Sequence, residues 1–449
     1  MSMSVDQRPV RTSARSRLRN LPWWGGWVAL SLSLAAYVVI GLVLHQPFHE
    51  GLRALRYFDL RIYRGAAERV VRGGSLYGAP IVDGLGFTYP PFAALLFTPL
   101  ACASTSVDAL VVTALNVLLL VWSLRRTLMI PAGRRLVPVR PASGSVRAWS
   151  LAALAAAVAL WLEPVSVALG YGQIDLLITA LVVFDLSRPD TAKTKGAAIG
   201  LAAAIKLTPL LFLAYLLLSG RRRPAAVGTA VFLGSIAISY ATLARDATRY
   251  WGGLVLDFSR VGSLADASNQ SLQGAIARLD PGAHAGIASH LTIAAIALLG
   301  LALAVQASRR GDEAAGFSLA AITTLLASPI SWTHHWTLAV PALLLLWRRA
   351  HQRRSRPLAT AAAALALLGC AYLPEYTEGP LKHPGLGTLL TSDPYTLAAT
   401  TVLVVAAAVA VIAVQRTRQR AQAWSAPGPE GTSTACSWRT SSGTISSAR

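Results

Sequence analysis

Paired cysteines and charged residues are both scarce in this chain of 449 residues. Its three cysteines, Cys102, Cys370 and Cys436, lie far apart and form no C-x-x-C pair. The sequence therefore indicates neither a disulfide framework nor a zinc site. Charged residues make up only 14% of the chain, which is not typical of a soluble or a disordered protein.

Nucleotide-binding motifs are missing as well. The sequence contains no G-x-x-x-x-G-K-[ST] loop, no G-x-G-x-x-G turn and no D-x-D pair that would hold a metal-bound sugar nucleotide. We therefore expect no nucleotide site and no bound cofactor. A substrate whose phosphate is carried by a lipid would need none of these motifs.

Hydrophobicity dominates what the chain does contain. Hydrophobic residues make up 54% of it, and the mean hydropathy is +0.50. Apolar runs recur from Trp27 to Val414, which predicts an all-α, polytopic integral membrane protein with about twelve membrane segments, some short or re-entrant. The candidate spans are residues 27–44, 91–104, 107–124, 148–169, 174–187, 196–218, 225–244, 291–307, 315–328, 335–347, 358–373 and 396–414.

The net charge of +21 would suggest nucleic-acid binding in a soluble protein. Most arginines here lie beside apolar runs, however, where they anchor the topology on the cytoplasmic side. We expect a basic cytoplasmic N-terminus over residues 1–22, a membrane domain over 23–415 and a disordered cytoplasmic tail over 416–449. Residues 45–90 then form an outer loop that carries Asp59.

Alternation of the spans also places three later segments on the outer side, namely residues 245–290, 331–335 and 374–395. Arg125 to Arg147 also favour the cytoplasm, and one arrangement that allows this lets residues 91–104 dip into the membrane without crossing it. In the same arrangement the apolar run 196–218 breaks at Lys206–Pro209, so that this turn reaches the outer side. Broken helices at that depth need a protein-lined cavity.

Asp59 is the first candidate for chemistry. A carboxylate whose pKa is adjusted by burial can take a proton from a sugar hydroxyl. The alternative is a structural ion pair with Arg56 or Arg61. The arginines around it indicate an anionic ligand, either a lipid phosphate held by bidentate contacts or anionic headgroups in general. They are Arg53, Arg56, Arg61, Arg64, Arg69 and Arg72.

Polar residues interrupt the later apolar runs at three places. Gln173 follows two glycines and could hydrogen-bond sugar hydroxyls or belong to a plain interhelical loop. Lys206 is an intramembrane cation, for which a phosphate contact and snorkelling to the surface are the alternatives. Asn269 and Gln270 offer neutral groups that suit either a sugar or a peptide backbone.

A histidine pair, His334 and His335, stands between Trp332 and Trp336. Adjacent residues on a helix point about 100° apart, so we expect that the two rings do not both face one site and that they bind no metal. One of them could share a proton with Asp59 or donate a hydrogen bond to a leaving phosphate. The alternative is an interfacial histidine among tryptophans.

These motifs occur in a fixed order along the chain. They are D-L-R-I-Y from Asp59, F-T-Y-P-P from Phe87, G-Q-I-D from Gly172, K-L-T-P from Lys206, N-Q-S from Asn269 and S-P-I-S-W-T-H-H-W from Ser328. With them, residues from about 22 to 415 resemble glycosyltransferase family 87, on a polytopic background. One departure is Asp175, where the family more often has asparagine.

The resemblance implies a GT-C fold and inverting transfer of mannose, with α-1,2 linkage, from polyprenyl-phosphate-mannose to a lipid-linked glycan, glycolipid or lipoglycan. The reaction would take place among membrane lipids at the outer face of the plasma membrane, without nucleic acid. The resemblance implies Asp59 as general base, assisted by His334 or His335. The residues assigned to substrate binding are Arg61, Tyr63, Tyr89, Gln173, Lys206, Asn269, Gln270 and Trp332.

Two other functions fit the same pattern. A transporter or flippase of lipid-linked sugars could use the same arginines and cavity without chemistry. Internal repeats and paired broken helices would favour it, and we find no convincing repeat. A protein-directed mannosyltransferase of the same fold would differ only in its acceptor, and the sequence does not separate the two acceptors.

Overall fold

The computed structural model describes residues 22–43, 57–133, 146–280, 282, 286–376 and 386–425. Over these residues the chain is helical, with two isolated β-bridges and no strand, which confirms the predicted all-α class. The α-helices of this part are α1 (Gly25–Val43), α2 (Phe58–Val71), α3 (Pro91–Phe97), α4 (Thr105–Thr127), α5 (Val146–Ala159), α6 (Glu163–Tyr171), α7 (Asp175–Leu186), α8 (Ala197–Ile205), α9 (Leu210–Leu218), α10 (Arg222–Thr242), α11 (Ala244–Trp251), α12 (Leu272–Leu279), α13 (Ile287–Arg309), α14 (Glu313–Ala327), α15 (Val340–Arg353), α16 (Arg356–Gly369), α17 (Leu386–Ser392) and α18 (Pro394–Ser425). Short 3-10 helices cover Thr98–Cys102, Leu254–Leu256, Phe258–Val261, Thr333–Ala339 and Leu373–Tyr376.

Four helices of the described chain are long and apolar enough to cross a membrane. A fifth span results if α5 and α6, which meet at 84°, cross together. Many of their leucines and valines are exposed, as the lipid-facing side of a membrane helix requires. The chain is thus a helical membrane protein. The count of about twelve segments is not confirmed, because several predicted runs form apolar helices of only 10–17 residues.

The predicted break in the run 196–218 is confirmed. Helix α8 ends at Ile205, Lys206 is extended with φ −146°, and α9 begins at Leu210. A proline at position 209 favours this break, because it cannot donate the backbone hydrogen bond that would continue the helix. The break leaves Lys206 at the end of a short, buried helix.

The segment predicted as an outer loop contains helix α2. Its buried residues include Leu60, Tyr63 and Ala67, which recur at the spacing of one helical face. The many arginines on the other faces hide this period, so the loop interpretation is wrong for this part. Residues 45–56, with Arg53 and Arg56, lie outside the described residues.

The predicted terminal segments lie largely outside the described residues. Of the N-terminal segment 1–22, only the last residue is described. Helix α18 continues to Ser425, so the first residues of the predicted tail are helical. The chain divides into a large unit that ends at Leu403 and a small one that begins at Val404. All residues discussed below belong to the large unit.

Helices α8 and α10 approach each other at glycines. A Cβ on Gly200 would lie 2.2 Å from the carbonyl oxygen of Gly228, and a Cβ on Gly228 would lie 2.7 Å from the carbonyl oxygen of Gly196. Small residues allow membrane helices to approach backbone to backbone. The contact fixes α8, and with it the position of Lys206, against α10.

We predict that Gly228→Ala lowers the thermal stability of the protein in detergent. The added methyl meets backbone atoms, which cannot move aside, and such overpacking costs about 1–3 kcal/mol. The control is Gly234→Ala on the same helix, where a Cβ meets nothing within 4 Å. Melting curves of the two purified variants test the prediction, and equal melting temperatures would contradict it.

Candidate active site

A cavity of about 1290 Å³ brings the distant motifs together. Its walls come from α2, the segment before α3, the connection between α6 and α7, the break between α8 and α9, the 3-10 helices around Leu254–Val261, and the turn that precedes Thr333. Most of the predicted site residues line it, namely Asp59, Arg61, Tyr89, Gln173, Lys206, Trp332, His334 and His335. Tyr63, Asn269 and Gln270 are not among the lining residues.

Asp59 occupies the first turn of α2, and a tight glycine contact brings this turn to the cavity. Tyr57, just before the helix, has a left-handed backbone and donates its N–H to the carbonyl of Gly170 over 3.2 Å. A Cβ on Gly172, whose φ is +67°, would lie only 2.8 Å from the Cβ of Leu60. Only glycine allows this approach, which places Asp59 beside Gln173.

The side-chain amide of Gln173 links Asp59 to His334. Its Oε1 accepts hydrogen bonds from the hydroxyls of Tyr63, at 2.5 Å, and Tyr89, at 3.4 Å. Because hydroxyl donors occupy the oxygen, the nitrogen end must face the other way. There Nε2 lies 3.2 Å from Nε2 of His334 and donates to the carboxylate of Asp59.

The carboxyl of Asp59 titrates near neutrality. Its poorly solvated surroundings, outside the candidate membrane spans, raise its pKa from the ordinary 3.8 to about 7. The hydrogen bond from Gln173 and the charge of Lys206 oppose this rise, and the charge of Asp175 adds to it. A carboxylate with this pKa can accept a proton at the pH where an enzyme works.

Lys206, another residue that lines the cavity, forms an ion pair with Asp175. Its Nζ lies 2.7 Å from Oδ1 of Asp175, and both residues are buried. The same ammonium lies 5.6 Å from the centre of the Tyr89 ring. The charge of Lys206 is therefore already compensated, and Asp175, the residue that departs from the family pattern, supplies the compensation.

Both histidines line the cavity, so the expectation that they cannot face one site is wrong. They occupy the first turn of a 3-10 helix, and their ring centres are 4.8 Å apart in an edge-to-face contact. The cavity extends around this turn, so two different side-chain directions open onto it. Burial, with Lys206 nearby, holds the pKa of both rings well below the usual range, which makes both neutral.

One group of described residues could offer ligands to a metal ion. Atoms of Asp175, His334 and His335 lie within 4.8 Å of one another. The ammonium of Lys206 already occupies one oxygen of Asp175, and the amide of Gln173 already occupies Nε2 of His334. A metal cation would have to displace the amide and lie close to the ammonium. The arrangement therefore fits a hydrogen-bonded network better than a metal site.

Asn269 binds the protein backbone rather than the cavity. It is fully buried, its Oδ1 accepts from the backbone N–H of Ser331 at 2.9 Å, and its Nδ2 donates to the carbonyl of Leu264 at 3.0 Å. The backbone N–H of Gln270 donates to the carbonyl of Ser331 at 2.8 Å. Of the two alternatives that the sequence left open, the geometry favours the peptide backbone. These residues hold the turn that leads to the histidines.

The side chain of Gln270 is likewise committed to the backbone. Its Nε2 donates to the carbonyl of Ser392, and its Oε1 accepts from the backbone N–H of Tyr395 at 3.0 Å. Arg278 and Asp393 form a buried ion pair next to this contact. The start of α18 is thus joined to the turn before the histidines.

The arginines of α2 divide into structural and cavity-facing ones. Arg64 pairs with the buried Asp108 over 2.5 Å, and Arg69 donates to the carbonyls of Ala79 and Pro80. Arg61 lines the cavity and lies 3.9 Å from Asp83, so the predicted ion pair between Arg61 and Asp59 is not what the geometry shows. Of the arginines of this cluster that the structure describes, only Arg61 lines the cavity where the predicted anionic ligand would bind.

Arg260 is a cavity residue that the sequence analysis missed. It lies on the 3-10 helix Phe258–Val261, lines the cavity and donates a hydrogen bond to the carbonyl of Phe87, the first residue of the F-T-Y-P-P segment. It belongs to none of the motifs found in the sequence. The available signal is an arginine among aromatic and aliphatic residues of the segment 245–290, where a charged side chain suggests a function.

Comparisons with known proteins show the family of the chain. Residues 87–329 match glycosyltransferase family 87. The chain is 34% identical, over 74% of its length and 79% of the relative, to a polyprenol-phosphate-mannose-dependent α-(1-2)-phosphatidylinositol mannoside mannosyltransferase of Mycobacterium tuberculosis. It is 33% identical, over 67% of its length and 68% of the relative, to the corresponding phosphatidylinositol pentamannoside mannosyltransferase of that species. A Mycolicibacterium smegmatis phosphatidylinositol mannoside mannosyltransferase is 32% identical over 71% of the chain and 77% of the relative.

A helical membrane protein with a large cavity and these relatives is a membrane glycosyltransferase. The chain belongs to glycosyltransferase family 87. No solved structure matches it.

We predict that Asn269→Ala lowers stability rather than sugar affinity alone. The substitution leaves the buried N–H of Ser331 and the carbonyl of Leu264 without their partner, at a cost of about 1–3 kcal/mol for each unsatisfied group. The control is Ser268→Ala, which removes only an exposed bond to Asp266. Thermal melting in detergent measures the stability of both variants. An Asn269→Ala protein with the melting temperature of the wild type would contradict the structural role of Asn269.

Proposed function

We propose that this protein transfers mannose from polyprenyl-phosphate-mannose to a phosphatidylinositol mannoside or a related glycolipid, with inversion and an α-1,2 linkage. Its relatives carry this donor and this class of acceptor in their names. The observation that carries the proposal is the carboxyl of Asp59, which faces a large cavity and has a pKa of about 7. General-base catalysis requires a carboxyl with such a pKa, whereas passive flipping of a lipid-linked sugar does not.

In the proposed reaction, Asp59 removes the proton from the acceptor hydroxyl as this oxygen attacks the anomeric carbon of the donor. The bond from that carbon to the prenyl phosphate oxygen breaks at the same time, and the phosphate leaves with the bonding electrons. The anomeric carbon acquires oxocarbenium character on the way. A single displacement of this kind inverts the configuration from β in the donor to α in the product.

Gln173 positions the base for this step. Its amide donates to Asp59, while the hydroxyls of Tyr63 and Tyr89 prevent the amide from rotating. This hydrogen bond would hold the Asp59 carboxylate in position for the acceptor hydroxyl. His334 is the neutral acceptor at the end of this series of hydrogen bonds, so it acts on Asp59 through Gln173 rather than by direct contact.

The leaving phosphate gains negative charge and needs cationic or hydrogen-bonding partners. Lys206, Arg61 and His335 line the same cavity as Asp59 and can supply them. Lys206 is near enough to Asp59 that its charge lowers the pKa of that carboxyl. Trp332 and Tyr89 add aromatic surface for the sugar or the prenyl chain.

We also propose a GT-C arrangement over residues 23–415, in the plasma membrane, with the cavity open to the outer side. The cavity walls combine α2, the 3-10 helices around Leu254–Val261 and the turn before Thr333. The arginine pattern predicts the outer side for all three of these segments. Agreement between the arginine distribution and the cavity lining supports this orientation.

Asp59→Asn tests the role of the base. The amide has the same shape but cannot accept the proton, so we predict a loss of about 10²- to 10⁴-fold in mannose transfer at an unchanged melting temperature. The assay measures radiolabelled mannose moving from polyprenyl-phosphate-mannose to phosphatidylinositol mannoside. Asp83→Asn, an exposed acid that also lines the cavity, serves as control and should retain activity. Full activity of Asp59→Asn would remove this residue from the mechanism.

The pH dependence of transfer tests the environment of that base. Because Asp59 must be ionised to act and its pKa is about 7, activity should rise with pH and reach half its maximum near that value. Gln173→Leu removes a hydrogen bond that lowers this pKa, so the rising limb should move to higher pH. The pH profile of kcat/KM measures both. A limb that stays in place, or moves to lower pH, would show that Gln173 does not stabilise the ionised form.

A further inference from the structure

We propose that Arg260 is the main anion contact of the cavity and binds the phosphate of the prenyl-phosphate donor. The proposal rests on the proposed function for the identity of the ligand, and on the geometry of Arg260 for the site. The sequence analysis assigned the phosphate to Arg61 and Lys206 instead. These three candidates differ in how far the neighbouring groups compensate their positive charge.

The cations that line the cavity differ in how far their charge is compensated. Lys206 lies 2.7 Å from a carboxylate oxygen of Asp175, in a buried ion pair that already satisfies it. Arg61 lies 3.9 Å from Asp83, but nearly half of its side chain is exposed, so water compensates its charge. Arg260 is only 21% exposed, and its nearest carboxylate, that of Asp257, is 4.0 Å away.

The direct partners of Arg260 are neutral. Its Nη1 donates to the carbonyl of Phe87 at 3.4 Å and its Nη2 to the carbonyl of Leu254 at 3.0 Å. Its guanidinium carbon lies 5.7 Å from the centre of the Tyr77 ring. Its Nε is buried, lies 4.0 Å from Oδ2 of Asp257, and has no hydrogen-bond partner in the described part of the chain. The group is thus positioned by neutral contacts, while further N–H groups remain for a ligand.

A largely buried guanidinium without a bonded anion is costly unless a ligand completes it. Phosphate suits the planar fork of arginine, because two parallel N–H groups can bind two of its oxygens. The backbone contacts place Arg260 between the Phe87 segment, which leads to Tyr89, and the 3-10 helix Leu254–Leu256. A phosphate here would lie at the cavity wall with aliphatic residues such as Leu254 and Val255 beside it, as a prenyl chain requires.

The test compares two ligands that differ only by the phosphate, farnesyl phosphate and farnesol, on purified full-length protein. Quenching of tryptophan fluorescence gives both affinities. Arg260→Gln should weaken the binding of farnesyl phosphate about 10- to 100-fold, the range for hydrogen bonds to a charged group, and leave the affinity for farnesol unchanged. The affinity of Arg260→Lys for farnesyl phosphate should lie between those of the wild type and Arg260→Gln. Arg249→Gln, an exposed arginine on the neighbouring helix α11, is the matched control and should bind both ligands as wild type does.

Each other outcome overturns the proposal in its own way. Equal losses for both ligands would mean that Arg260 only supports the cavity wall. Unchanged affinity for farnesyl phosphate would return the phosphate to Arg61 or Lys206 and leave the proposed function intact. If the wild-type protein binds farnesyl phosphate no better than farnesol, the cavity has no phosphate site, and the proposed donor fails together with Arg260.

Discussion

The orientation of one buried amide determines the rest of the site. Gln173 is 2% exposed, and the two tyrosine hydroxyls on its oxygen leave its nitrogen no choice but to face Asp59 and His334. An inverted amide would place its N–H groups against the tyrosine hydroxyls and an oxygen against the carboxylate of Asp59. The tyrosine hydroxyls could accept from the inverted amide, but two acceptor oxygens would then face each other at the ionised Asp59, which is costly in a poorly solvated interior and favours the observed arrangement. In the proposed mechanism this arrangement holds Asp59 in place as the base.

The fold supplies this arrangement from segments that are distant in sequence. Asp59 comes from the start of α2, Gln173 from a glycine turn, Lys206 from a helix break, and the histidines from a turn fastened by Asn269. Each segment interrupts an apolar region, where unsatisfied backbone groups are costly. The interruptions are tolerated because the interrupting segments contact one another. Gly172 packs against α2, and Asn269 hydrogen-bonds the backbone of Ser331.

The sequence could predict which residues matter better than it could predict what they touch. Polar side chains in apolar runs are costly and therefore indicate a function. This singles out Asp59, Gln173, Lys206 and the two histidines, and all of them line the cavity. The break at Lys206–Pro209 was predictable for the same reason and from proline chemistry. The number of membrane segments was not, because hydropathy does not tell a short spanning helix from a buried one.

The partners of these residues depend on long-range contacts that no local pattern encodes. Asn269 and Gln270 have the groups to bind a sugar, yet their side chains bond backbone groups 60 and 122 residues away in sequence. Lys206 has the charge to bind phosphate, yet Asp175 neutralises it. Arg260 belongs to no motif, and only the structure shows that its hydrogen-bond partners are neutral carbonyls and that its nearest carboxylate lies 4.0 Å away. The sequence thus identifies the polar side chains in apolar regions, and the fold determines which partners they bind.

The anomeric configuration of the product tests the central claim most directly. The account has one base, held in place by Gln173, on the acceptor side of a single displacement, and no second carboxylate that acts as nucleophile. NMR of the disaccharide formed from β-linked polyprenyl-phosphate-mannose should therefore show a new α-mannosyl linkage. A β linkage would require two displacements and a covalent intermediate, and it would contradict the role of Asp59 as general base.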